Sequence, residues 1–135
     1  MRRRKYEEIE DDSGAVLHYV RHENGGGFVE RHATVDPTAY VAESAYVDRG
    51  AVVGARARVG AGAWIDADAV VHAGAVVGAA AHIGRAAVIG RNARVKDRAR
   101  IGAHAHVWDG VHIDPDAVIR ANVVVRDGSR ARRAA

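Results

Sequence analysis

A small set of side chains limits the chemistry open to this 135-residue chain. It has no cysteine, which excludes thiolate nucleophiles, disulfides and Cys-based metal sites and leaves the redox compartment unread. Serine stands only at positions 13, 44 and 129, with no serine-centred elbow, and no phosphate-binding glycine loop is present. Histidine and the carboxylates remain. His72, His82, His104, His106 and His112 follow one another through the second half of the chain, and Trp108 and Asp109 lie between the last two. An imidazole titrating near neutrality serves as a general base, or, when neutral, as a metal ligand. Just upstream, residues 85–100 carry Arg85, Arg91, Arg94, Lys96, Arg98 and Arg100 against Asp97 alone. Such a cluster suits anion binding, or else forms a solvated belt paired with Asp66, Asp68, Asp114 and Asp116.

The elements that must hold these side chains are written in a repeat. From Val35, every sixth residue through Val125 is Val or Ile, sixteen positions without exception. The residue two earlier is Ala from Ala33 through Ala105, then Val111, Ala117 and Val123. Gly follows the aliphatic residue at 54, 60, 78, 84, 90 and 102. Composition agrees: 28 Ala, 21 Val and 7 Ile, but a single Leu and a single Phe. Branched residues favour a pleated surface and a helical core is normally Leu-rich, so this reads as strand. In Ala-x-Val the outer two side chains share one face. The next three residues make a turn, with Gly expected where φ is positive. One strand and one turn per six residues bury nothing alone. Stacked coils do, each strand hydrogen-bonded to the strand of the next coil.

This unbroken Ala-x-Val/Ile-Gly-x-x pattern over residues 33–125 closely resembles the hexapeptide-repeat superfamily, which includes trimeric acyltransferases and γ-class carbonic anhydrases. The resemblance implies an all-β fold: a single-stranded left-handed parallel β-helix of about five coils, roughly 25 Å tall at one strand spacing per coil, with a short N-terminal cap. Residues 1–32 are expected to cap it, 33–125 to form the β-helix and 126–135 to be a basic tail. With three hexads per coil, outward residues fall into columns. The first face carries Thr34, Val52, Val70, Val88, His106 and Val124. The second carries Tyr40, Arg58, Val76, Arg94 and His112, and the third Tyr46, Trp64, His82, Arg100 and Val118. A valine stripe on the first face marks a contact surface. Under the resemblance, Val52, Val70, Val88 and Val124 are a homotrimer interface.

The family implies three functions. In the first, an acyltransferase uses a coenzyme A thioester and a small-molecule acceptor. His106, which interrupts the valine stripe, is the general base, with His112 and His104 as further candidates. Arg94, Lys96, Arg98 and Arg100 are candidates for the coenzyme's phosphates. In the second, the chain is a non-catalytic trimeric scaffold, as the absence of inserted loops favours. The third is a zinc hydratase with histidines from two subunits. That family's close pair is His-x4-His, whereas this chain has His104-x-His106 and His106-x5-His112, so zinc is not expected; the metal ligands stay unassigned and no covalently bound cofactor is implied. Nor is nucleic acid an expected partner. The net charge of +3 is concentrated in the tail, and no aromatic residue interleaves the basic cluster. The chain has no run of 18 apolar residues, and the Met-Arg-Arg-Arg-Lys start lacks an apolar follow-on. No membrane contact and a cytoplasmic location are therefore expected.

Overall fold

The computed structural model describes residues 6–10 and 16–126, with side chains from residue 18 onward. The basic tail expected from residue 127 on lies outside the described residues. The chain is a left-handed parallel β-helix of about five coils. Sixteen two-residue strands, from Thr34–Val35 to Val124–Val125, repeat every six residues. Each pairs in parallel with the strands one coil away: Val70 lies beside Val52 below and Val88 above. The three faces have the expected columns. Six strands form the first face, five the second, and eight the third, where β1 (Tyr6–Glu10), β2 (Val16–Arg21) and β3 (Phe28–Glu30) extend the stack.

The prism is filled by the two periodic positions. From Val41 to Ile119 every sixth residue is buried, and so are the paired residues from Ala39 to Ala117. The aliphatic stripe supplies volume, and its alanine partner lets the three walls close. Every inward side chain is apolar, so the interior needs no polar partner.

The corners correct one expectation. The Gly after the aliphatic residue does not have positive φ. Positive φ falls two residues later, at every sixth residue from Gly50 to Asn122, and nine of these residues are not glycine, with φ between 58° and 66°. That conformation costs about 1–2 kcal/mol for an L-residue. It turns the amide onto the corner below, where His104 N donates to Arg85 O at 2.9 Å and Arg98 N to Ala79 O at 2.8 Å. In the lowest coil, side chains take over: Thr38 Oγ1 accepts from Arg56 N, and Ser44 Oγ accepts from Gly62 N. The first-position Gly answers a different constraint. A Cβ on Gly84 would lie 2.6 Å from Ile101 O, in the backbone of the coil above.

At the lower end, β2 and β3 are antiparallel, and β3 then joins the third face in parallel beside Tyr46–Val47. The turn between them crosses to the second face. Gly27 N donates to Val41 O, and Asn24 O accepts from Val41 N. A Cβ on Gly25 or Gly27 would strike the backbone there. The three-glycine turn thus stands where the five-stranded face lacks a sixth strand.

Candidate functional site

The three candidate histidines lie apart within one chain, at the positions their register gives. His106 lies on the first face, between Val88 and Val124 in register. His112 tops the second face beside Arg94. His104 occupies a positive-φ corner between the third and first faces. Among the described residues none of their rings has a hydrogen-bond partner. The basic cluster encircles the prism rather than converging. Arg94 is on the second face, Lys96 and Arg98 on the next corner, and Arg100 on the third face. Arg98 is taken up by Asp116, through Nε to Oδ1 at 2.8 Å and Nη2 to Oδ2 at 3.2 Å. This pairing holds the Asp116 carboxyl below, and the Arg98 guanidinium above, their usual ranges.

Among the described histidines of the repeat, His82 on the third face is the one paired with a carboxylate. Its Nε2 lies 3.3 Å from Asp66 Oδ2, and both side chains are about one-quarter exposed. A carboxylate only accepts, so Nε2 carries the proton and Nδ1 is left as the basic atom. The Trp64 ring stacks on the imidazole at 4.3 Å and 16°. Trp64 is itself fixed, donating from Nε1 to Asp48 Oδ2 at 2.6 Å. The buried Tyr19 hydroxyl donates to the other oxygen of Asp48, also at 2.6 Å. Burial, then the Asp48 carboxylate, push the Tyr19 phenol well above the usual tyrosine range. Tyr19 also meets Tyr46 and Phe28 edge to face, and these two rings stack on each other. A continuous polar and aromatic ladder therefore runs from β2 up the third face to His82.

The ladder obeys a rule that single columns do not reveal. Asp48 partners Trp64, and Asp66 partners His82, each across 16 residues. A first-corner carboxylate thus receives the ring N–H of the outward residue of the next coil. One coil higher the same diagonal joins Gly84 to Arg100, and above that Gly102 to Val118. The corner column, Asp48, Asp66, Gly84, Gly102 and Arg120, loses its side chains for two rungs. The result is a notch with Asp66 at its foot and Arg120 at its head, lined also by His82, Arg85 and Arg100. Among the described residues the guanidinium groups of Arg85, Arg100 and Arg120 have no hydrogen-bond or ion-pair partner. No group of three or more His, Asp or Glu is placed to hold a metal ion among the described residues, and none of their helices is long and apolar enough to cross a membrane.

Comparison with known proteins gives a consistent picture. The model of the bacterial transferase hexapeptide family (six repeats) matches residues 92–127. No curated protein matches the chain. Among solved structures, the chain is similar to a histidine-to-asparagine mutant of perosamine N-acetyltransferase from Caulobacter crescentus, in complex with CoA and GDP-perosamine. The identity is 32% over 76% of this chain and 50% of that one, with a TM-score of 0.70. The chain thus spans half the length of that relative. The acetyltransferase domain of PglB from Neisseria gonorrhoeae, in complex with acetyl coenzyme A, is 26% identical over 76% of this chain and 52% of that one. Its TM-score of 0.33 is too low to carry an argument.

Proposed function

From the premise that the chain belongs to the hexapeptide-repeat superfamily, we propose that it transfers an acyl group from a coenzyme A thioester to an amine or hydroxyl of a small-molecule acceptor. The observation that carries this reading is the 32% identity and shared shape with an N-acetyltransferase crystallised with CoA. The working unit is a homotrimer joined on the first face. The exposure of Val52 (39%) and Val124 (49%) in the single chain supports it. Arg94 and Lys96, each without an ion-pair partner among the described residues, face the coenzyme's phosphates.

Proton transfer is assigned to His82 in preference to His106, because among the described residues His82 has a carboxylate to orient it and stabilise its charged form and His106 has none. The acceptor's nitrogen or oxygen attacks the thioester carbonyl carbon. As the new C–N or C–O bond forms, Nδ1 of His82 takes the acceptor's proton. The C–S bond then breaks, and the same proton passes to the departing sulfur, giving free coenzyme A thiol. Asp66 stays ionised throughout and offsets the transient imidazolium charge.

The test is thiol release from acetyl-CoA in the presence of amine and hydroxyl acceptors. His82→Asn should lower turnover by about 10²-fold or more, the scale of a lost general base, with the oligomer intact. His106→Ala should have little effect. The reverse result moves the base to the first face, as the interrupted valine stripe first indicated. A second reading, a non-catalytic trimeric scaffold, is favoured by one feature: no loop interrupts the sixteen strands. It predicts no thiol release with any acceptor.

A further inference from the structure

We infer that the notch between Asp66 and Arg120 binds a phosphate or diphosphate group of the acyl acceptor, with the guanidinium of Arg100 as its principal contact. The assignment to the acceptor rests on the acyltransferase reading, but the anion site itself does not. Its basis is the broken diagonal. In the two coils below, the ring N–H on the third face reaches a carboxylate one corner down: Trp64 to Asp48 and His82 to Asp66. Arg100 is the next donor in this series, since His82 and Arg100 are neighbours in register. At the corner where its acceptor should stand, the chain has Gly84. A donor of full positive charge is therefore poised above a corner that provides no side-chain acceptor.

The hollow is enforced by the backbone. A Cβ at Gly84 would meet Ile101 O at 2.6 Å, and one at Gly102 would strike Ala121 N. Arg85 borders the lower rung and Arg120 closes the upper end. The guanidinium groups of Arg85, Arg100 and Arg120, unpaired among the described residues, thus line a cleft two coils tall, about 10 Å at one strand spacing per coil. That length exceeds a single carboxylate and suits a phosphate or diphosphate, which guanidinium forks bind through paired hydrogen bonds. Asp66 at the foot keeps its charge beside the neutral His82 ring, and the three guanidinium groups along the notch outweigh it. The position of His82 decides whose phosphate it is. A coenzyme A thioester carries its phosphates at the far end of the pantetheine arm, which is longer than the notch. An anion beside the base therefore belongs to the molecule whose proton the base removes.

The probe is inorganic pyrophosphate, titrated into the full chain and followed by backbone amide and arginine Nε–H resonances. The expected result is saturable binding that shifts Gly84, Gly102 and the Nε–H of Arg85, Arg100 and Arg120. Affinity should fall about tenfold in Arg100→Gln and in Arg120→Gln, as for loss of a charge-assisted pair, and should not change in Arg58→Gln on the second face. If these variants bind pyrophosphate as well as the parent chain, or if shifts spread evenly over all arginines, the site does not exist. Competition separates donor from acceptor. Acetyl-CoA should not displace pyrophosphate, and displacement would give the notch to the donor and overturn the assignment. Pyrophosphate binding without any acyl transfer would instead leave the site standing and remove the enzymatic reading.

Discussion

Replacing Gly84 by Ala places a methyl group where the coil above has its backbone. The added Cβ would lie 2.6 Å from Ile101 O, whereas real Cβ contacts essentially never fall below 3.0 Å. The two coils must separate by several tenths of an ångström, just where Gly84 N donates to Ile101 O at 2.7 Å. Forcing a methyl into a close-packed site costs about 1–3 kcal/mol, and weakening one inter-coil bond adds about 1 kcal/mol. The stiffer unfolded chain returns about 0.4–1 kcal/mol, so a net loss of about 1–3.5 kcal/mol is expected, centred a little above 2. Gly110→Ala is the matched control. Gly110 has φ of 73° and nothing within 4 Å of its would-be Cβ. It should carry only the left-handed backbone cost of about 1–2 kcal/mol, less the same gain from the unfolded chain, for a net of about 0–1.5 kcal/mol, centred below 1. Urea unfolding followed by circular dichroism gives both numbers from shifts in midpoint. If Gly110→Ala is as damaging as Gly84→Ala, close approach between coils is not what selects glycine after the aliphatic residue.

Other consequences can be checked in the same way. Ile83→Ala empties a fully buried position and should cost about 2–5 kcal/mol, read from the same unfolding curves. Val70→Arg puts a charge in the middle of the first-face stripe and should convert the proposed trimer to folded monomers in sedimentation. Tyr19→Phe removes one of two hydrogen bonds to Asp48 and should cost about 1.5 kcal/mol. The native Tyr19 phenol titrates above its unfolded value, so its contribution is complete below about pH 10 and is lost as pH rises beyond that. In Tyr19→Phe this alkaline loss should shrink. Asp116 is shifted the other way by Arg98. Its contribution is present above about pH 4, where the unfolded carboxyl ionises, and fades as acid titrates the folded carboxyl below that. Asp116→Asn should flatten this acid limb.

The architecture was legible because one period carried it. Sixteen aliphatic residues at a spacing of six place every strand, and the faces that follow put Val70 beside Val52 and Val88, as found. The reason for the glycines was misread from the same pattern. A spacing shows where the chain turns, but not which corner residue takes positive φ, since Arg56, Asp68 and His104 adopt it at the same corner position as Gly50 despite its cost to an L-residue. The candidate site was less legible still. Tracking columns singled out His106, because it breaks a stripe. The pair formed by His82 and Asp66 crosses from a strand column to a corner column, 16 residues apart rather than 18. Asp48 and Trp64 repeat that offset, and this repetition is the signal that could have found the pair. What Arg100 does depends on the missing side chain at Gly84, and so becomes visible only once both columns are seen side by side.

The central claim is that this β-helix handles a coenzyme A thioester, and equilibrium binding of acetyl-CoA to the purified oligomer tests it with no acceptor in hand. The account predicts a saturable isotherm with one acetyl-CoA per subunit and half-saturation between about 1 µM and 1 mM, the range of ordinary enzyme substrates. A well-folded oligomer that takes up no acetyl-CoA at several times the upper concentration would contradict it.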